Sequence, residues 1–287
     1  MNPQHGPRCS AEPYAALLCN LYEAYNRKEF VHPDPLEFLY DYPDVRDREI
    51  AALVAACLAY GNVHQIIKTV SSVLKRIGQP YAFVTGSSDS AIERKVGNFQ
   101  YRFTTRDELA TLLRGIKRVV ERYGSLGKCF VAGLRPEHDT TQLALSHFVE
   151  ELARSGGGRP STLLPLPERG SACKRLNLFL RWMARRDRVD PGGWDDVPAS
   201  KLVIPVDVHI MRICSRLGLT RRKQADAATA MEITAAFKAI EPDDPVKYDF
   251  VLSRLGIRDD LSLEGFLRSC ASARPVAQNH SRAASQS

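Results

Sequence analysis

Two short segments carry side chains whose types and spacing could do chemistry together. The first runs Ile204-Pro205-Val206-Asp207-Val208-His209-Ile210-Met211-Arg212-Ile213-Cys214-Ser215-Arg216-Leu217-Gly218. Asp207 precedes apolar residues at Ile210, Ile213, Cys214 and Leu217, which puts it at a helix N-cap, with Gly218 closing the far end. A carboxylate there can take up a proton or stabilise a developing cation. The second segment runs Gly170-Ser171-Ala172-Cys173-Lys174-Arg175-Leu176-Asn177-Leu178-Phe179-Leu180-Arg181-Trp182-Met183. Lys174 falls in the first turn after a Gly-Ser start, against the positive end of a helix, which disfavours its charged form. An amine so placed suits nucleophilic attack and imine formation. Arg175 is no such candidate, because a guanidinium stays protonated. On local physics alone the plain readings come first: Asp207 as a cap and nothing more, Lys174 as a solvated surface lysine.

The elements that must hold these residues read as helices throughout. Tyr14, Leu17, Leu18, Leu21, Tyr22 and Tyr25 form one amphipathic stripe. From Ile50 to Tyr60 the chain is apolar almost all round, the mark of a central buried helix, and Gly61 is its stop. After a short turn, Val63, Ile66, Ile67, Val70, Val73, Leu74 and Ile77 form another stripe that ends at Gly78. Further stripes run through 106–124 and 141–153, and through 228–240. In the lysine segment Leu176, Phe179, Leu180 and Met183 form the buried face, leaving Lys174, Asn177, Arg181 and Arg185 along the other side; Trp182 reads as core. The glycines and prolines of SGGGRPSTLLPLPERGS are the clearest interruption. No alternating strand pattern of useful length is present, so the predicted fold class is all-α, two helical lobes with an intervening cleft. One lobe spans residues 45–204; the other joins 13–44 to 205–270; 1–12 and 271–287 are polar tails expected to be loose.

Composition bounds the partner. The 287 residues carry 40 Lys+Arg against 33 Asp+Glu, a formal charge of +7, which suits a polyanion. The seven cysteines are scattered, with no C-x-x-C pair, so they read as reduced thiols of a cytoplasmic protein and assemble neither a zinc nor an iron–sulfur site. No metal and no cofactor is expected. No apolar run approaches the roughly 20 residues that span a bilayer, so no membrane partner is expected either.

The string PVDVHIMRICSRLGL resembles the segment of the helix-hairpin-helix DNA glycosylases, the endonuclease III superfamily, in which an aspartate caps a helix entering the active-site cleft. There the pattern is V-D-T-H-hydrophobic-x-R-hydrophobic; Asp207, His209, Arg212, Arg216 and Leu217 fall on it, and Val208 stands where Thr is usual. More closely, DREIAALVAACLAYGN, GSACKRLNLFLRWMARRD, PVDVHIMRICSRLGL and DPVKYDFVLSRLGI are similar to the uncharacterised bacterial family catalogued as domain of unknown function 2400, over roughly residues 14–258. The chain departs from the better-known glycosylases in lacking an L-P-G-V-G hairpin, the nearest stretch being Leu164 to Gly170. The separation 207 − 174 = 33 is longer than in endonuclease III and similar to that of the archaeal oxidised-guanine glycosylases.

The resemblance implies a base-excision glycosylase, with abasic-site lyase activity, acting on damaged duplex DNA; a monomer is the expectation for the oligomeric state, which the sequence does not fix. Lys174 would be the nucleophile and Asp207 the assisting carboxylate; Arg181, Arg185, Arg212 and Arg216 would contact phosphates; Asn62 and Gln65, on the turn after the central helix, would meet the DNA. Two other readings stay open: a glycosylase-like DNA-binding or damage-sensing protein without catalysis, and a helical protein–protein adaptor whose basic surface serves solubility.

Overall fold

A computed structural model describes residues 14–155, 162–255 and 262–273; of the expected tails at 1–12 and 271–287, residues 1–12 and 274–287 lie outside them, as does the glycine-rich stretch at 156–161, whereas 271–273, expected to be loose, finish a helix. The described chain is mostly helical, and its apolar side chains join in one continuous core from Tyr14 to Cys270.

α1 (Ala15–Tyr25) buries Ala15, Leu18 and Leu21. A 3₁₀ segment, Pro35–Asp41, leads to α2 (Val45–Leu58), which starts at Asp44, whose carboxylate accepts from the Arg46 amide at 2.8 Å. Every residue of α2 from Ile50 to Leu58 is buried, as the all-round apolar run requires, and its alanines let neighbouring helices approach closely. α3 (Val63–Ile77) follows after a turn through Gly61 at φ 98°, and ends at Gly78 at φ 78°. α4 (Pro80–Gly86) and α5 (Asp89–Val96) lead to a short antiparallel hairpin, β1 (Gln100–Tyr101) and β2 (Thr104–Thr105), in which Tyr101 faces Thr104. The hairpin has no alternating run behind it, which is why the sequence pattern missed it.

α6 (Arg106–Tyr123) opens with a capping box between Thr105 and Glu108. α7 (Leu126–Ala132) and α8 (Gln142–Ser155) pack against it. α6 and α8 meet at Gly115, where an added Cβ would stand 2.5 Å from the Leu152 carbonyl oxygen. Between them Phe130, Phe148, Phe179 and Trp194 form a ring cluster, and the Trp194 indole donates to the buried Glu49 carboxylate at 2.9 Å. Burial raises the pKa of Glu49, against the amides of Leu126 and Gly127 and the Trp194 indole that all hydrogen-bond to it.

α9 (Lys174–Ala184) lies on α2. α10 (Val208–Leu217), α11 (Ala227–Ile240), α12 (Asp249–Arg254) and α13 (Leu263–Ala273) complete the chain. α12 touches α1 and α10, and α10 touches α13, whereas the segment Pro35–Asp41 packs on α2 and α3.

Beyond Lys174, the polar side of α9 does not face water. Asn177, Arg181 and Arg185 are 2%, 2% and 5% exposed. The reason is a set of carboxylates, Asp187 and Asp190 from just beyond the helix and Asp244 and Asp249 from distant sequence. Arg181 Nη1 meets Asp249 at 2.5 Å, and Arg185 reaches Asp187, Asp190 and Asp244. Tyr22 and Asn26 of α1 donate to Asp187 at 2.9 and 3.1 Å. Burial pushes the Asp190 carboxyl up to about 6, with Arg181 and Arg185 pulling the other way. Each charge in such an interior needs its partner, because an unpaired one is penalised heavily.

Candidate functional site

Lys174 and Asp207 meet. The lysine Nζ stands 2.8 Å from Asp207 Oδ2, and both side chains are partly exposed. They stand 33 residues apart in sequence, each at a helix N-terminus. Asp207 caps α10 with its other oxygen, Oδ1 accepting from the amides of His209 and Ile210, both at 2.9 Å. The carboxylate is thus divided: one oxygen is fixed by the helix and one is offered to the amine. Burial raises its pKa, but the Lys174 charge and hydrogen bond and the Ile210 amide outweigh that, and Asp207 is held below the usual carboxylate range. Gly218 closes α10 at φ 76°, as its sequence position requires.

The start of α9 is less regular. Its N-cap is Cys173 at φ 47°, a left-handed conformation that a non-glycine residue rarely adopts, and the Cys173 side chain makes no cap bond. Gly170 at φ 79° and a hydrogen bond from the Cys173 amide to Ser171 Oγ at 3.1 Å turn the chain here. The Gly170 carbonyl accepts from the Ala227 amide at 3.0 Å, tying the turn to the start of α11. The segment before α10 is anchored from the same helix, Thr234 Oγ1 accepting from the Ile204 amide at 3.1 Å. α11 therefore sets the spacing between the turns that carry Lys174 and Asp207.

Beside the pair opens a cavity of about 470 Å³. Its walls include Tyr60, Gly61, Cys173, Lys174, Arg175 and Val206. Arg175 donates to the carbonyls of Cys57, at 2.6 Å, and Thr162, and its guanidinium lies over the Tyr60 ring at 5.1 Å. It shapes the wall, a role that no local spacing signals. Cys173 is buried, and burial pushes its thiol up to about 11, which disfavours the thiolate. Lower down, Asp249 is close enough to feel the charges of both Asp207 and Lys174, although its direct partner is Arg181.

The remaining sequence candidates divide. Arg181 and Arg185 are buried in ion pairs, which corrects their reading as phosphate contacts: their guanidinia point into a carboxylate network and not toward solvent. Trp182 is fully buried, as expected of core. Arg212 and Arg216 are exposed along α10; Arg216 pairs with Glu264, and Arg212 adds to the field on that carboxylate. Arg186, Arg188 and Arg222 are likewise paired, with Asp195, Glu23 and Asp226. Asn62 is exposed but its Oδ1 caps α3, accepting from the amides of His64 and Gln65 at 3.0 and 3.4 Å; Gln65 is exposed. Among the described residues no group of three or more His, Cys, Asp and Glu could hold a metal ion, and no helix is long and apolar enough to cross a membrane.

Fold and site together define a helical protein with a lysine–aspartate pair at two helix N-termini beside a cavity. The chain belongs to the family described as "Protein of unknown function (DUF2400)", whose model matches residues 34–258 and so takes in both members of the pair. Neither the curated proteins nor the solved structures contain a match.

Proposed function

We propose that this protein binds DNA and excises a damaged base, with Lys174 as nucleophile and Asp207 as the assisting carboxylate. The observation that carries the reading is the 2.8 Å approach of Lys174 Nζ to Asp207 Oδ2, with Lys174 and Val206, the residue before Asp207, on the wall of a cavity. The fold would then be of the helix-hairpin-helix glycosylase kind, which the PVDVH segment resembles and which the capping geometry of Asp207 supports.

The glycosidic carbon is out of reach inside a duplex, so the target nucleotide must turn out of the stack into the cavity. The Lys174 ammonium must lose its proton before it attacks, and Asp207 Oδ2 is the acceptor within reach. The amine nitrogen bonds to C1′ as the bond from C1′ to the base breaks, its electron pair leaving with the base, which takes up a proton. Opening of the sugar ring from the resulting aminal yields a Schiff base, from which elimination cleaves the strand. Asp207 passes the proton it took from Lys174 to the departing base, and the carboxylate so restored stabilises the cationic sugar.

Sodium borohydride tests this directly by reducing the imine to a stable amine. With an abasic-site duplex, wild type should give a covalent protein–DNA adduct, and Lys174→Ala should give none while retaining most of its DNA binding. Base release without any adduct would replace Lys174 by a water activated by Asp207. Duplex binding without adduct or release, across a broad panel of damaged bases, would leave a DNA-binding protein that lacks catalysis.

A further inference from the structure

We propose that the cavity at the N-terminal end of α2 is a second binding site, which takes a small zwitterion with an apolar body, an amino acid or dipeptide. Its volume is about 490 Å³, in the range of small-molecule pockets. Val45, Arg46 and Glu49 line it from the start of α2, whereas Tyr60 and Gly61, on the wall of the Lys174 cavity, follow the other end of that helix. A helix rise of about 1.5 Å per residue over Val45–Leu58 sets the two ends roughly 20 Å apart. The proposal therefore stands independently of the DNA reading.

The floor is built from buried groups that hold one another in place. Glu49 accepts from the Leu126 amide at 2.8 Å through Oε1, and from the Gly127 amide at 3.0 Å and the Trp194 indole at 2.9 Å through Oε2. One carboxylate thus ties α2, α7 and the 193–196 segment together, and both of its oxygens are occupied. At Gly127 an added Cβ would stand 2.8 Å from Trp194 Nε1, and at Gly193, φ 136°, one would stand 2.9 Å from Val45 Cγ1. Segments fitted this closely make the cavity a fixed feature of the fold. With the Glu49 oxygens and the indole N–H spent on each other, Val45, Val131 and Trp194 offer a ligand apolar contact.

The exposed lining residues carry both signs of charge, Lys128 and Arg46 against Asp195 and Asp196. Arg46 pairs with Asp44 and Asp195 with Arg186, whereas Lys128 and Asp196 make no ion pair among the described residues. Lys128 comes from α7 and Asp196 from the loop after Trp194, so one ligand can meet both, its carboxylate on the lysine and its ammonium on the aspartate. The two aspartates disfavour a polyphosphate or a nucleic-acid strand, and the two cations disfavour a polycation. Two charges of each sign select a ligand that is dipolar and neutral overall.

Calorimetric titration of the full chain with L-leucine, leucyl-leucine, leucinamide and N-acetylleucine tests this. Leucinamide lacks the carboxylate, and N-acetylleucine lacks the ammonium. The zwitterions should bind and raise the melting temperature, and each singly charged probe should bind about tenfold more weakly, as loss of a charged hydrogen bond implies. Lys128→Ala should weaken the zwitterions by the same factor yet leave leucinamide within about twofold of its wild-type affinity, because the partner of that lysine is already missing. Asp196→Ala should do the converse and spare N-acetylleucine. Both side chains are exposed, so both variants should melt as wild type does.

Equal binding of all the probes, or losses in the two variants that ignore which charge the probe carries, overturns the proposal. So does the absence of both heat and melting shift at millimolar zwitterion. Zwitterion binding that is lost in Lys174→Ala and kept in Lys128→Ala places the ligand in the other cavity and overturns it too. A wild type that binds the zwitterions with this charge pattern but binds no DNA supports this site and overturns the DNA reading alone.

Discussion

Replacing Arg181 by Met removes one charge from the interior while keeping a long unbranched side chain in α9. Asp249, with its oxygen 2.5 Å from Arg181 Nη1, and Asp190, 3.3 Å from Nη2, would keep their burial and lose this guanidinium. Breaking a buried pair from one side costs about 3–5 kcal/mol, because the orphaned charge remains desolvated. At roughly 2 °C per kcal/mol for a chain of this size, Arg181→Met should melt roughly 6–10 °C below wild type. The matched control is Arg216→Met, whose pair with Glu264 is exposed and screened by water, so its melting temperature should stay close to wild type. The loss should also depend on pH in a stated direction. Burial already raises the pKa of Asp249 against the pull of Arg181. Without Arg181 its folded pKa rises further, so the variant's deficit grows as pH climbs from the ordinary carboxylate range and shrinks as the medium is acidified. Calorimetry and urea titrations at several pH values measure both effects. Should Arg181→Met melt within about 2 °C of wild type yet lose a phosphate's share of the salt dependence of DNA binding, Arg181 would be a DNA contact and the buried-network argument would fail.

Other expectations follow from the same geometry. Asp207→Asn should keep the α10 cap, while Asp207→Ala should lose about 1 kcal/mol by urea denaturation. Because the folded pKa of Asp207 is depressed, the stability its charge contributes is present above the ordinary carboxylate value and vanishes as pH falls through the depressed one, so wild type and Asp207→Asn should converge in acid. Gly115→Ala should destabilise by about 1–3 kcal/mol through the clash with Leu152. Gly86→Ala, with nothing within 4 Å of its added carbon, should be neutral or slightly stabilising in the same thermal scans.

The helices were legible because their signals are local. An apolar stripe at Ile66, Val70, Val73 and Ile77, or an all-round apolar run at 50–58, dictates burial wherever the rest of the chain goes. Asp207 as a cap and Gly218 as a terminator are equally local, each being set by the backbone within one turn. The β1–β2 hairpin was not legible, since two-residue strands carry no period and Arg102 takes a left-handed turn position without glycine.

The residues of the site were named by type and resemblance, but their meeting depends on contacts between residues far apart in the chain. Nothing within either segment fixes Lys174 against Asp207; that depends on α11, which holds the Gly170 turn and the Ile204 strand-like segment to one helix. The failure at Arg181 and Arg185 has the same root. A sequence stripe of Lys174, Asn177, Arg181 and Arg185 states which side of α9 is polar, and it does not state whether water or Asp187, Asp190, Asp244 and Asp249 will face it. The sequence by itself determined which helices form and where they stop, because propensity, periodicity and capping act within a few residues. Only the tertiary structure decided which charges are buried and which line the cavity, because desolvation and ion pairing depend on partners up to 220 positions away, as at Arg254 and Asp34.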